Sequence, residues 1–380
     1  MQPRYVHVFL IWEWAVGYVR HDAPIVRVRG CSAPGGPERW RSTVPYFERF
    51  DDGTRERMAP ELMAAACDAF GLQMVDAAFV GHSENVVYRV TARQAGVDHE
   101  YALRISNPTR CTTPQIEAEC RWIAAITRET SVVSPEPLLT PDGRHLVEVA
   151  LPGLPAPRRC ALFPWLRGEL IDAPRPEHLH ALGVVTAALH NHADTYGRDE
   201  QIDRPTADWE ALLAPFARGE FVAAWESYTE PVVTDAERLV YAEAAARLEE
   251  NIRGIPTDRD YGLIHADLHL GNVLYHDGEP RPIDFDDCHF APYMTDVATT
   301  LWQLHGDNQV ALRAAYMEGY ETTRPAPDDW ERQVAAFMAA RYFSMMDWML
   351  GWRREDHMGS ASQAMSDSAR KLRAYLDSPD

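Results

Sequence analysis

The chain has 380 residues, 46% apolar and 25% charged, the composition of a globular protein with a sizeable core and not of a coiled coil, a collagen-like repeat or long disorder. Lys and Arg total 37 against 57 Asp and Glu, a formal net charge of −20, which argues against nonspecific binding to nucleic-acid phosphates and suits a cationic or metal-complexed partner. The six cysteines show no C-x-x-C spacing, so neither a zinc ribbon nor a disulfide framework is written, and a reducing cytoplasm is the expected location.

Residues 1–57 carry little fold information: Trp12, Trp14 and Val16 precede a Pro/Gly/Arg-rich stretch over 31–41. They read as an extension, either a functional arm or an over-long start ahead of Met58. The apolar run over 5–19 is broken by Glu13 and falls short of the ~20 residues a membrane span needs, so no membrane association is expected.

From Pro60 a short helix stops at Gly71. Strands over 73–79 and 86–91 flank the turn Gly81-His82-Ser83-Glu84-Asn85. A third over 100–105 puts Tyr101, Leu103 and Ile105 on one face, Ala102 and Arg104 on the other. Thr113-Pro114 opens a helix with the stripe Ile116, Cys120, Ile123 and Ala124. Glu119, at the edge of that stripe, is either a surface charge or the buried partner of Arg104, and the cost of an unpaired buried charge favours the pair.

Beyond Phe163-Pro164-Trp165-Leu166-Arg167-Gly168 the periodicity turns helical over 179–192, 207–216, 234–252 and 328–352. The last begins at Asp328, with Glu331 three residues on as a capping box. Its Trp330, Trp348 and Trp352 are compatible with an aromatic box for a cation, but the helical spacing favours core packing. Strands first and helices after predict an α+β fold of two lobes, an N-lobe over 58–165 and a helical C-lobe over 166–380.

The chemistry concentrates in 263–287. Two short apolar runs flank Asp277-Gly278, a strong hairpin signal. Centring the hairpin on Gly278 pairs Val273 with Ile283 and Asn272 with Asp284, bringing an amide oxygen and a carboxylate together. Magnesium takes one or two such oxygens from a protein and completes its shell with water and phosphates. Asp267 lies five residues before Asn272, the spacing between the hydroxyl-orienting Asp and the metal-holding Asn of a kinase catalytic loop. His265, His269 and His276 also admit a metal-hydrolase reading, but that leaves Asn272 and Asp284 unexplained, and His265 is better read as bracing the loop.

His265-Ala266-Asp267-Leu268-His269-Leu270-Gly271-Asn272 resembles the catalytic loop of the aminoglycoside phosphotransferase superfamily, which includes choline kinases and type II homoserine kinases. Ile283-Asp284-Phe285-Asp286-Asp287, followed by Asp296, is similar to its second metal motif and a downstream structural aspartate. The likeness runs from roughly Met58 to the C-terminus. It implies a two-lobed protein-kinase-like fold and an ATP- and magnesium-dependent transfer of the γ-phosphoryl group to a small-molecule hydroxyl. Asp267 is then the catalytic residue, and Asn272 and Asp284 hold the metal. Arg104, braced by Glu119, grips the phosphates beneath the loop of Ser83 and Asn85. Phe163 and Trp165 lie in the hinge that receives adenine through backbone hydrogen bonds.

Three departures stand out. Arg104 replaces the usual Lys, Asp286 replaces the glycine of Asp-Phe-Gly and leaves open a second metal contact through water, and Gly81 is the lone glycine of the nucleotide loop. The alternatives are a regulatory pseudokinase and a protein Ser/Thr kinase of the same superfamily. With so acidic a chain, the expected acceptor is an amino alcohol, a hydroxy amino acid or an aminoglycoside-like compound, with no nucleic-acid partner.

Overall fold

The computed structural model describes residues 52–82, 85–108, 110–152, 154, 156–196, 202–218, 233–351 and 358–378. Residues 1–51 and Ser83 lie outside these. The described residues form two compact units, one running to Leu170 and including 202–203, the other beginning at Ile171 without those two.

In the first unit, helix α1 (Asp52–Ala69) runs through the expected boundary at 57/58 and ends before Gly71, whose φ of +74° is the left-handed conformation that closes helices. Strands β1 (Gln73–His82), β2 (Val86–Gln94), β3 (Val97–Ile105), β4 (Val147–Val149) and β5 (Arg158–Pro164) pair antiparallel in the order β1-β2-β3-β5-β4. Alternation sends Val86, Tyr88 and Val90 of β2, Leu103 and Ile105 of β3 and Leu162 of β5 to one face. There they form a core with Leu62, Met63, Ala66 and Phe70 of α1. The other face carries Val87, Ala102, Arg104, Ala161 and Phe163 in register across three strands.

Helix α2 (Thr113–Glu129) is capped by Thr112, one residue earlier than expected. Thr112 forms a reciprocal capping box with Gln115, three residues on, whereas the residue three beyond Thr113 is the apolar Ile116.

The second unit contains helices α3 (Pro176–Ala193), α4 (Trp209–Ala217), α5 (Asp235–Arg253), α6 (Met294–Trp302), α7 (Gln309–Thr323), α8 (Trp330–Gly351) and α9 (Met358–Asp377). Helices α3 and α7 cross backbone to backbone. A Cβ on Gly183 would lie 2.0 Å from the Tyr316 carbonyl oxygen, and one on Gly319 2.0 Å from that of His180. Phe216, Tyr241 and Phe343 knit α4, α5 and α8 edge to face, with Phe343 centred 4.8 and 5.9 Å from the other two rings. At the start of α8 the cap is Asp329, not Asp328: its carbonyl accepts the Gln333 N–H and its carboxylate the Arg332 side chain. Val334, Phe337, Phe343 and Met346 of this helix are buried and Trp330 is half-buried, while the Trp348 side chain and all of Trp352 lie outside the described residues.

Two short ribbons complete the unit. β6 (Tyr261–Ile264) pairs with β9 (His289–Pro292), and β7 (Val273–His276) pairs with β8 (Glu279–Pro282). The β6–β7 and β8–β9 connections therefore emerge side by side, which brings residues 265–272 next to 283–288. Among the described residues no helix is long and apolar enough to cross a membrane.

Candidate active site

The loop after β6 turns through Ala266, whose φ is +70°. A left-handed residue other than glycine costs roughly 1–2 kcal/mol. Asp296, in the first turn of α6 and fully buried, offsets this by accepting the backbone N–H groups of His265 at 2.9 Å and Ala266 at 2.7 Å. Behind it the His190 ring lies with Nε2 3.3 Å from Asp296 Oδ2 and Nδ1 2.9 Å from the Tyr320 hydroxyl, stacked on Tyr293 at 4.4 Å. Burial pulls the His190 pKa down, so the ring is neutral, donating to Asp296 and accepting from Tyr320. Burial alone would raise the Asp296 pKa. The hydrogen bonds from His190 and the loop amides outweigh it and keep the carboxyl below its ordinary range.

That turn presents Asp267, whose side chain is 21% exposed. Arg341 Nη2 donates to its Oδ1 at 2.6 Å, and Asn272 Nδ2 donates to its Oδ2 and its backbone oxygen, both at 3.0 Å. His269 Nε2 stands 3.3 Å from Oδ2, while its Nδ1 accepts the Gly271 N–H at 2.9 Å. Burial would raise the Asp267 pKa, but the adjacent His269 ring and the Arg341 guanidinium override it, so the carboxyl lies well below its usual value and is ionised. With two acceptors on the Nδ2 side of Asn272, its amide oxygen is turned the other way, as a metal ligand would need. His265 braces the loop as expected: it is buried and neutral, with Nε2 3.0 Å from the Ile283 carbonyl and Nδ1 facing the Asp267 N–H at 3.4 Å. Both of its nitrogens face backbone partners, which removes it as a metal ligand. Among the described residues no three His, Cys, Asp or Glu side chains gather as a metal cluster.

The hairpin register differs from the sequence expectation by one residue. Asp277 and Gly278 both have positive φ, 51° and 85°, and so form the two-residue turn that suits a twisted ribbon. His276 therefore pairs with Glu279 and Val273 with Pro282. Asn272 lies opposite Ile283, whose N–H donates to the Asn272 carbonyl at 2.9 Å, and not opposite Asp284. Asp284 is instead the first residue past that pair and turns left-handed, with φ +64°. Phe285 anchors the turn in the core, its ring 4.3 Å from that of His265. Arg204 ties the segment down from outside, donating through Nη2 to the Asp286 carbonyl at 2.5 Å and through Nε to the Cys288 carbonyl at 2.6 Å.

In the first unit Arg104 and Glu119 form a buried, two-pronged pair, Nη1 to Oε1 at 2.6 Å and Nη2 to Oε2 at 2.7 Å. The guanidinium lies 5.2 Å from the centre of the Phe163 ring. Asn85 Oδ1 accepts the Asn107 N–H at 3.2 Å, tying the β1–β2 turn to the end of β3. The Trp165 N–H donates to the Glu100 carbonyl at 3.0 Å. By ladder alternation the backbone polar groups of Phe163 also face β3, and the Pro164 carbonyl faces away. Phe163 and Trp165 are thus engaged in the sheet through the backbone groups that the hinge resemblance assigned to adenine.

Arg341, Arg204 and His190 have no local signature. They approach the loops from 74, 82 and 106 residues away in the chain, and Arg341 sits in a helix whose legible pattern is its core stripe.

An ionised Asp aimed by a strained turn, an Asn five residues on and an Asp-Phe turn against the loop are the means by which protein-kinase-like phosphotransferases handle a hydroxyl. The fold agrees. Solved structures similar to this chain include the microcompartment-associated aminopropanol kinase, with TM-score 0.69 and 25% identity over 84% of this chain and 97% of that one. A spectinomycin phosphotransferase solved with ADP and spectinomycin superimposes with TM-score 0.59 at 13% identity, over 84% of this chain and 98% of that one, a likeness of fold alone. The profile of the phosphotransferase enzyme family matches residues 77–332, and the chain belongs to that family. Amicoumacin kinase of Bacillus subtilis is 23% identical over 296 residues, 74% of this chain and 82% of that one. Homoserine kinase of Agrobacterium fabrum is 28% identical over 203 residues, 50% of this chain and 55% of that one, so this match spans about half of that relative. The chain is accordingly a member of a family of small-molecule kinases and phosphotransferases.

Proposed function

We propose that the chain transfers the γ-phosphoryl group of ATP, with magnesium, to a hydroxyl of an amine-bearing small molecule: an amino alcohol, a hydroxy amino acid or an aminoglycoside-like compound. The observation that carries this reading is the setting of Asp267, ionised and held at both carboxylate oxygens on a turn fixed by Asp296. Asp267 orients the acceptor hydroxyl and receives its proton as the bond to phosphorus forms. Its low basicity suits a loose transition state, in which placement of the hydroxyl matters more than early deprotonation.

Asn272 and Asp284 would hold magnesium, which their hard oxygens suit. When bound, magnesium neutralises charge on the β- and γ-phosphate oxygens. Residues 58–165 serve as the nucleotide lobe and 166–380 as the catalytic and acceptor lobe. In the nucleotide lobe Arg104, fixed by Glu119, meets the phosphates, aided by Ser83 and Asn85. Adenine rests on the face shared by Val87, Ala102 and Phe163 and reads the Pro164 carbonyl in place of the Trp165 backbone. Relatives named for amicoumacin, homoserine and aminopropanol support this choice of acceptor.

The test is coupled ADP release across a panel of hydroxyl metabolites and antibiotics. Turnover with an amine-bearing alcohol is expected. Nucleotide binding without turnover on any compound would instead mark a regulatory pseudokinase.

A further inference from the structure

We propose that Arg341 reads the acceptor, and that the acceptor carries a carboxylate close to its reacting hydroxyl. This rests on the phosphotransferase reading and sharpens it. Arg341 projects from the middle of α8, its side chain 14% exposed, with Nη2 2.6 Å from Asp267 Oδ1 and its guanidinium 5.7 Å from the centre of the Trp302 ring.

A guanidinium has five N–H donors. Among the described residues Arg341 makes one hydrogen bond, to Asp267, and its buried Nε has no partner. Most of its donor capacity is therefore unmatched by the described residues. Asp267 does not need all of it, because its Oδ2 already accepts from Asn272.

The position of this cation selects the ligand. A hydroxyl handled by Asp267 approaches to about 2.7 Å of a carboxylate oxygen, and Oδ1 is itself one hydrogen bond from the guanidinium. Substituents two or three bonds from the hydroxyl carbon then fall within reach of Arg341. An ammonium placed there is repelled, whereas a carboxylate meets a planar fork suited to it. The chain's net charge of −20 favours an amine on the same molecule, turned away from the guanidinium while the carboxylate faces it, so the combination selects a hydroxy amino acid over a simple amino alcohol or an aminoglycoside.

Matched pairs differing by the carboxylate alone test this: homoserine against 3-aminopropan-1-ol, threonine against 1-aminopropan-2-ol, serine against ethanolamine. Each is assayed by ADP release with wild type, Arg341→Lys, Arg341→Gln and Arg341→Ala, with melting curves confirming which variants fold. The wild type should prefer the amino acid of its best pair by about tenfold or more in kcat/KM. That preference should collapse in the Gln and Ala variants through a rise in KM for the amino acid, and Lys should keep part of it. A wild-type preference for the decarboxylated member overturns the inference. So does a loss in the variants that scales both members equally through kcat, because Arg341 would then act on Asp267 alone. Absence of turnover on every pair and on the wider panel overturns the phosphotransferase reading itself and this inference with it.

Discussion

Asp296 and Ala266 are bound by a 2.7 Å hydrogen bond from a backbone amide to a fully buried carboxylate, and this contact keeps a strained residue in the turn that aims Asp267. Asp296→Asn removes the charge and sets an amide among groups that all donate. Breaking a buried charged network of this kind costs about 3–5 kcal/mol. Urea unfolding should show a loss of that order together with a fall in kcat, and a variant as stable and active as wild type would show that the turn is held by other means.

The same network gives the protein a pH dependence. His190 and His265 are buried and neutral, with pKa values pulled below the ordinary histidine value chiefly by burial. The unfolded chain binds protons at both as pH falls through about 6.5, while the folded chain resists, so stability is full above that value and is lost below it. Each fully excluded proton contributes about 1.4 kcal/mol per pH unit. Urea midpoints should therefore fall between pH 7.5 and 5.5, and His190→Gln should flatten the slope. A midpoint independent of pH over this range contradicts the neutral assignment.

The nucleotide role proposed for Arg104 and Glu119 is tested by ATP binding. Arg104→Ala leaves a buried carboxylate unpaired and takes the cation from the phosphates, so calorimetric titration should show ATP affinity lost and melting should show reduced stability. Arg104→Lys keeps a point charge without the fork and should retain part of the activity. Normal ATP binding and turnover by Arg104→Ala would remove β3 from the nucleotide site.

Much of this was legible in the residues because local chemistry decides it. Alternation in β2 and β3 assigns Arg104 a face, burial cost assigns Glu119 to it, and the spacing from Asp267 to Asn272 marks the candidate catalytic loop, in which the two side chains meet. The hairpin register was not legible, because Asp277-Gly278 marks a turn without saying whether the pairing is symmetric about Gly278 or about the bond before it. Both positive φ angles decide for the bond. The cap falls on Thr112 and not Thr113 for a similar reason, two adjacent threonines being separated only by what stands three residues on. Arg341 and Arg204 could not be found at all, since nothing near them in sequence refers to the loops they bind.

Magnesium should act through Asp284. Asp284→Ala is expected to abolish the tightening of nucleotide binding that magnesium produces, and EDTA on the wild type should have the same effect. Equal nucleotide affinity with and without magnesium contradicts the assignment of Asn272 and Asp284.

In the proposed reaction Asp267 serves the acceptor hydroxyl and not the nucleotide. Asp267→Asn preserves the shape of the side chain and removes its charge. Steady-state kinetics on the best acceptor, paired with calorimetric ATP binding, should show kcat lowered by about 10²–10⁴ while ATP affinity stays within a few-fold of wild type. Retained turnover, or a loss of ATP binding in proportion to the loss of rate, would contradict it.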